Sequence, residues 1–434
     1  MKKSLFALAA VGAIAGTAQA QSSVTVYGVM DLGYMGSNLR GANNDNKQSV
    51  VNTTNSQFSS GGESTNRLGF KGNEDLGGGL SAFFTIESEV TPDSGAVFQS
   101  TATGNRQTFA GLKKAGVGQF AFGTQYTTIF NANAITDPGM QNNMMGNVIY
   151  DKVRGGTALT QSSYAGTTGT PGSQVFSGMQ NNTSYTVRAN DMLSIKTDTF
   201  SGFEGNAFYV LNNQNTNQAT ASGGGYAGGM NNHTGYGLGV NYTWNKLLVT
   251  ANYQNFTDKN PYSMNANGTY NVGAPSMNGY GGVSTQGTNA RDNQQYYAAT
   301  YDFGILKAYV QYVNRKTMDV NNPNNYVART AQQIGVRSFV TPVVESWASI
   351  GTGKLTVASA AANTNSFVAG IATIGSNSAN FGGFQLGTNY WLSKRTNLYA
   401  IYGQERTSNQ AYVQGGNSTS YNSNNYGLGL RHTF

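Results

Sequence analysis

No cysteine occurs in the 434 residues, so neither a disulfide framework nor a thiolate metal site is available. Histidine is almost as scarce. His233 sits in a run of Gly, Asn and Met, and His432 lies two residues from the last one. A catalytic nucleophile needs a base held within hydrogen-bond reach, and a Gly-rich segment supports that geometry poorly. No enzyme, metal or cofactor is therefore expected. The runs Gly77-Gly78-Gly79 and Gly223-Gly224-Gly225 lack the following Lys-Ser/Thr pair of a phosphate cradle. Charge is sparse at 10%, where a soluble domain carries about a quarter. The formal balance is +7, or +5 without Lys2 and Lys3. Its basic residues form no long run, which argues against a nucleic-acid partner. Long apolar runs are missing as well: Leu5 to Ile14 is roughly ten residues, half of the about twenty that a spanning helix needs. Lys2 and Lys3 precede that run and Ala18-Gln19-Ala20 follows it, so residues 1–20 read as a cleaved secretory signal and the mature chain as 21–434.

What is abundant points to a wall of strands. A mean hydropathy of −0.38 coexists with little charge, as expected where alternate residues face lipid and the others face water. Glycine (57) suits turns and close-packed strands, and tyrosine (26) suits the two membrane interfaces. The last nine residues carry the clearest alternation: Tyr426, Leu428, Leu430, His432 and Phe434 share one face, and Gly427, Gly429, Arg431 and Thr433 the other. An aromatic at the end of such a strand suits barrel closure at an interface and an assembly signal in Tyr426, Leu430, His432 and Phe434.

Period-two runs recur along the chain, for example Leu80, Ala82, Phe84 and Ile86 against Ser81, Thr85 and Glu87. Strands are expected at 22–35, 64–74, 80–90, 105–112, 118–125, 183–197, 205–212, 235–242, 247–256, 294–302, 305–316, 327–338, 343–356, 381–391, 398–406 and 425–434, sixteen in all. The stretch 326–362 alternates weakly and 398–406 is apolar on both faces. Short turns, such as 75–79, 113–118 and 392–397, alternate with long polar segments at 36–64, 212–235, 257–293 and 407–425. That asymmetry marks periplasmic turns and extracellular loops. The fold class is thus an all-β transmembrane antiparallel barrel.

Several motifs then fall in one order: Val26-Tyr27-Gly28-Val29-Met30-Asp31, Arg67-Leu68-Gly69-Phe70-Lys71-Gly72-Asn73-Glu74-Asp75-Leu76-Gly77-Gly78-Gly79-Leu80, Asn105-Arg106-Gln107-Thr108-Phe109-Ala110-Gly111-Leu112, Tyr301-Asp302-Phe303-Gly304, Tyr390-Trp391-Leu392-Ser393-Lys394-Arg395-Thr396 and the terminal Gly429-Leu430-Arg431-His432-Thr433-Phe434. With these the chain resembles the trimeric general porins of Gram-negative bacteria, in particular the beta-proteobacterial branch. The resemblance implies a homotrimer in the cell outer membrane, surrounded by lipid and lipopolysaccharide, with a water-filled pore that passes small hydrophilic solutes and inorganic ions by diffusion and prefers anions. It also implies a third loop, about 125–182, folded into the pore, carrying Asp137 and Asp151 opposite Arg67 and Arg106, with Lys71 nearby. Alternation sets Arg67 and Lys71 opposite the apolar Leu68 and Phe70, and Arg106 on the other face from Phe109. An arginine facing lipid at mid-membrane costs about 2–4 kcal/mol, which favours the lumen. A competing role for these arginines is to brace the wall through Glu87 or Asp31. The chain departs from the family in having Gln180, Asn181 and Asn182 where a further wall arginine often begins the sixth strand, and Thr124 where a basic residue is common. Two alternative readings keep the barrel: a solute-specific channel and an adhesin whose outer loops bind a ligand.

Overall fold

The computed structural model describes residues 23–43, 50–93, 105–151, 184–220, 226–260, 263–264, 270–271, 288–320, 323–324, 326–359, 375–408 and 419–434. The signal segment lies outside them, as do Lys152, Arg154 and Gln180 to Asn182. Seventeen strands form one sheet that closes on itself. They are β1 (Ser23–Asn43), β2 (Val50–Ser60), β3 (Arg67–Gly77), β4 (Leu80–Glu89), β5 (Asn105–Lys114), β6 (Gly118–Tyr126), β7 (Arg188–Thr197), β8 (Phe203–Thr220), β9 (Tyr226–Trp244), β10 (Leu247–Asn260), and then β13 (Thr288–Asp302), β14 (Lys307–Asp319), β15 (Tyr326–Thr341), β16 (Val344–Ser359), β17 (Gly375–Ser393), β18 (Thr396–Thr407) and β19 (Thr419–Thr433). A small separate hairpin, β11 (Ser263–Met264) with β12 (Tyr270–Asn271), stands between β10 and β13.

Seventeen strands fill sixteen places. β3 pairs with the first part of β1, Ser23↔Asn73 to Val29↔Arg67, and β2 pairs with the rest, Leu32↔Ser60 to Ala42↔Val50. They share one place, interrupted at 61–66. The break is held by Asp31, whose Oδ2 accepts the amides of Glu63 (2.8 Å) and Ser64 (2.6 Å). The expected count therefore holds, but the segment 36–64 is not a loop: β1 runs on to Asn43 and β2 returns beside it. In the same way β8 and β9 fill most of 212–235. Such upper strands stand above the bilayer with water on both sides, so nothing selects alternating polarity and they read as loops. The short connections at 75–79, 113–118 and 392–397 are turns, and Gly77, Gly78 and Gly79 take φ of 84, 60 and 76°, a region open to glycine.

Outward faces carry the exposed apolar side chains, among them Phe70, Ile86, Phe122, Ile195, Leu238, Val310, Ile334, Leu386, Leu428 and Leu430. Closure is by β19 on β1, in register from Val29↔Thr433 to Asn43↔Thr419. Phe434 completes it: its amide donates to the Gly28 carbonyl (3.2 Å) and its carbonyl accepts from the Gly28 amide (3.1 Å). A Cβ at Gly28 would lie 2.3 Å from the Phe434 ring, so glycine there is what lets the ring lie against β1. His432 faces outward with Leu430, its Nδ1 2.9 Å from the Thr396 hydroxyl. Replacing Phe434 by Ser should remove this ring seat and lower the amount of folded protein in the outer membrane, measured as the heat-modifiable band on gels. Undiminished folded protein would show that closure does not need the ring.

Candidate pore constriction

Between β6 and β7 the chain turns into the barrel. Helix α1 (Thr128–Thr136) begins there, capped by Thr127, whose hydroxyl accepts from the Phe130 amide at 3.3 Å. Where the chain packs against the inner wall its backbone polar groups are cut off from bulk water and need protein partners. A row of buried glutamines on the inner wall does so. Gln385 donates to the Met144 and Met145 carbonyls (2.8 and 2.9 Å) and exchanges two hydrogen bonds with Asn142. Gln333 accepts from the Val148 amide (3.1 Å) and Gln294 from the Thr186 amide (2.7 Å). The glutamines also hold one another, Gln254 to Gln294 at 2.7 Å and Gln333 to Gln311 at 2.9 Å. The loop lies so close to the wall that a Cβ at Gly403 would stand 1.8 Å from the Met145 carbonyl oxygen.

Apolar side chains complete the seat. Ile129, Val148, Ile149 and Tyr185 of the loop pack with Tyr296, Val313, Val327 and Phe381 of the wall, and Met144 packs with Met35, Trp347, Tyr399 and Ile401. This explains the apolar character of both faces of β18: Leu398 meets lipid, while Tyr399 and Ile401 meet the loop.

Asp137 and Asp151 both turn into this seat. Asp137 accepts from the Gln141 amide (2.6 Å), Asn147 (2.9 Å) and Gln333 (3.4 Å). Asp151 pairs with Arg329 at 3.1 Å, and Arg329 also donates to the Val148 carbonyl and to Ser184. Arg337 donates to the Pro138 carbonyl (2.7 Å) while pairing with Glu345 (2.6 Å), and Arg315 pairs with Asp292 (2.6 Å). On this half of the lumen each of these arginines has its carboxylate.

The other half is different. Register places Arg67 and Lys71 of β3 on the lumen face, with Glu87 and Glu89 of β4 beside them. Arg106 donates through Nε to Glu87 (2.7 Å) and through Nη2 to the Tyr126 hydroxyl (2.7 Å), and Arg67 lies 4.0 Å from the same carboxylate. The Tyr27 hydroxyl donates to Glu87 at 3.1 Å, and Lys71 stands over the Tyr27 ring at 5.5 Å. Bracing by Glu87 is thus present for Arg106, whereas Asp31 is taken up by the β2–β3 break and by the Tyr399 hydroxyl (2.7 Å).

Arg106 reaches the lumen by a route that alternation misses. Phe109 pairs with the lumen-facing Thr85 and packs edge-on to the lumen-facing Phe83 at 6.2 Å, so Phe109 also faces inward. A bulge is responsible: Glu87 pairs with Gln107 and Ser88 with Asn105, leaving Arg106 without an opposite residue and free to swing inward. A second correction concerns the sixth barrel strand. It begins at Arg188, not at 183, and Arg188 pairs in register with Tyr126. An arginine thus begins this strand, eight residues after Gln180. It is 3% exposed, feels the charge of Arg106, and its Nε has no acceptor among the described residues. Arg431 of β19 extends the arc, next to Arg67 and donating to the Ser64 hydroxyl at 2.9 Å. The only signal for Arg188 and Arg431 was an arginine within a lumen-facing register, which requires the register to be known.

His233 pairs with Asp258 across β9 and β10. No group of three or more His, Cys, Asp or Glu able to hold a metal exists among the described residues.

The profile of the Gram-negative porin family matches residues 7–410. An outer membrane porin protein of Bordetella pertussis is 27% identical over 100% of both chains, and outer membrane porin protein 32 of Delftia acidovorans is 44% identical over 22% of this chain and 24% of its own. Among solved structures, the anion-selective porin from Comamonas acidovorans superposes with a TM-score of 0.58 at 19% identity, covering 95% of this chain and 100% of that one. OmpT of Vibrio cholerae in its trimer form gives 0.54 at 16% identity, covering 95% and 99%.

Burial pushes the carboxyl of Asp137, in the loop outside the strands, up to about 6, against the opposing pull of its hydrogen bonds and Arg337. A raised value means that its contribution to the loop seat is complete below about 4 and is lost as pH rises through the folded value. Loop resistance to protease should therefore decline from pH 5 to pH 7.5, and Asp137→Asn should flatten that slope. Removing Arg329 has a larger effect, since Arg329→Gln leaves Asp151 buried without its cation. A loss of about 3–5 kcal/mol is expected, read as a lower unfolding temperature and noisier open-channel current.

Proposed function

The chain belongs to the Gram-negative porin family and is an outer-membrane channel, and on that premise we propose that it passes small hydrophilic solutes and inorganic ions passively, with a preference for anions. The observation that carries this is the unequal charge of the two halves of the lumen. Arg67, Arg106, Arg188 and Arg431 stand on one arc with Glu87 and Glu89 between them, while the loop half pairs Arg315, Arg329 and Arg337 with Asp292, Asp151 and Glu345. Asp137 and Asp151 hold the loop, so the positive side of the field across the pore comes from the arginine arc. A charged cleft in a low-dielectric wall raises the local concentration of its counter-ion. The anion selectivity of the Comamonas porin agrees with this reading.

The working unit is proposed to be a homotrimer, as the Vibrio relative's trimer form suggests. Residues 1–20 are the export signal, and lipid and lipopolysaccharide surround the barrel. The relatives are outer membrane porins, which supports a channel over an enzyme.

Purified protein in a planar bilayer should give stepwise conductance that scales with salt. Folded trimers that conduct nothing would end the channel reading. Arg67→Gln with Arg106→Gln removes two charges from the arc, worth roughly 1 kcal/mol of attraction to a passing anion. Anion-over-cation permeability should then fall about fivefold, read as the zero-current potential in a salt gradient. Neutralising the turn residues Lys246 and Lys394 should change it little, because exposed charges beyond about 8 Å are screened at physiological salt. A larger shift from the turn pair would place the selective charge elsewhere.

A further inference from the structure

On the outer wall, β7 to β10 and β13 border an open apolar furrow with a volume of about 520 Å³. Its position follows from register. Ile195 opposes Ala207, Ala207 opposes Leu238, Gly205 opposes Val240, and Ala251 opposes both Val240 and Tyr297. Ile195, Leu238 and Tyr297 are exposed on the lipid side, and their partners share that face. The depression exists because small residues, Gly205, Ala207 and Ala251, stand in rows whose neighbours are large.

The furrow is not uniform along its length. Its lower end lies beside the short β7–β8 turn at 198–202, on the periplasmic side, and carries a polar group: the Thr197 hydroxyl accepts from the Gly205 amide at 2.9 Å, which leaves the hydroxyl's own proton free to donate. The upper end is closed by Tyr253 and Tyr297. Between them the lining is mostly aliphatic or glycine, with Asn206 and Asn252 at its floor. Unfilled, such a depression forfeits dispersion contacts on every wall.

We propose that this furrow is a binding site for a phospholipid of the periplasmic leaflet. One acyl chain lies along Gly205, Ala207 and Ala251 and ends against the two tyrosines, and an ester carbonyl of the lipid accepts from Thr197. The proposal rests on the barrel's standing in the outer membrane. The furrow has room for one acyl chain, and the Thr197 hydroxyl sits at the end where the glycerol backbone of that leaflet lies. A lipopolysaccharide chain would enter from the opposite end, past the tyrosines.

Native mass spectrometry of gently delipidated protein tests it, because mass separates phospholipid from lipopolysaccharide and from detergent. Wild type should retain one phospholipid per chain. Ala207→Phe with Ala251→Phe fills the furrow and should lower retention at least tenfold, whereas Ala400→Phe, on the outward face of β18, should leave it unchanged. Channel conductance of the same samples reports folding separately, so lost lipid with intact conductance touches this site and not the channel reading. If the double variant does not fold, Ala251→Leu takes its place and should lower retention several-fold. Bare wild type, retention of lipopolysaccharide or detergent alone, or equal retention by the filled variant would overturn the proposal.

Discussion

The loop inside the barrel depends on one constraint: its backbone lies where water cannot serve every amide and carbonyl, so the wall must. Gln294, Gln333 and Gln385 do this with neutral side chains that both donate and accept. An amide is suited to this task because it satisfies both kinds of backbone group without bringing a charge into the lumen. Each unsatisfied buried group would cost about 1–3 kcal/mol, so the row of glutamines decides that the loop has one seat and not several. The close approach at Gly403 and the apolar packing of Met144 and Ile149 follow from that seat.

Electrostatics divide along the same line. Arginines under the loop are spent on carboxylates, Arg329 on Asp151 and Arg337 on Glu345. They stabilise position and contribute little net field. Across the lumen Arg67, Arg106 and Arg188 share Glu87 and Glu89, and the guanidiniums outnumber the acids. A carboxylate in the loop is therefore not evidence of a charge facing the pore. Asp137 and Asp151 lie in the loop, and both point into its seat.

Strands within the bilayer, such as β4 and β19, were legible because lipid on one side and water on the other enforce a period of two. Above the bilayer that selection ends, and β2 and the upper parts of β1, β8 and β9 passed for loops. At Arg106 a bulge breaks the period, so Arg106 and Phe109 both face inward although strict alternation would set them on opposite faces. At Arg188 the strand begins five residues later than the sequence pattern suggests, so the arginine that opens it has no local mark.

The amino-acid sequence by itself determined the class of the protein: an alternating, glycine- and tyrosine-rich chain with short and long connections in turn can only bury its backbone in lipid as a closed barrel. It also determined the family, through motifs spread along the whole chain. Tertiary structure decided which charges are available to a solute. That depends on pairs such as Asp151 with Arg329, 178 residues apart, and on a one-residue bulge, and neither contact leaves a local mark in the chain, because the partners meet only when the barrel closes around its own loop.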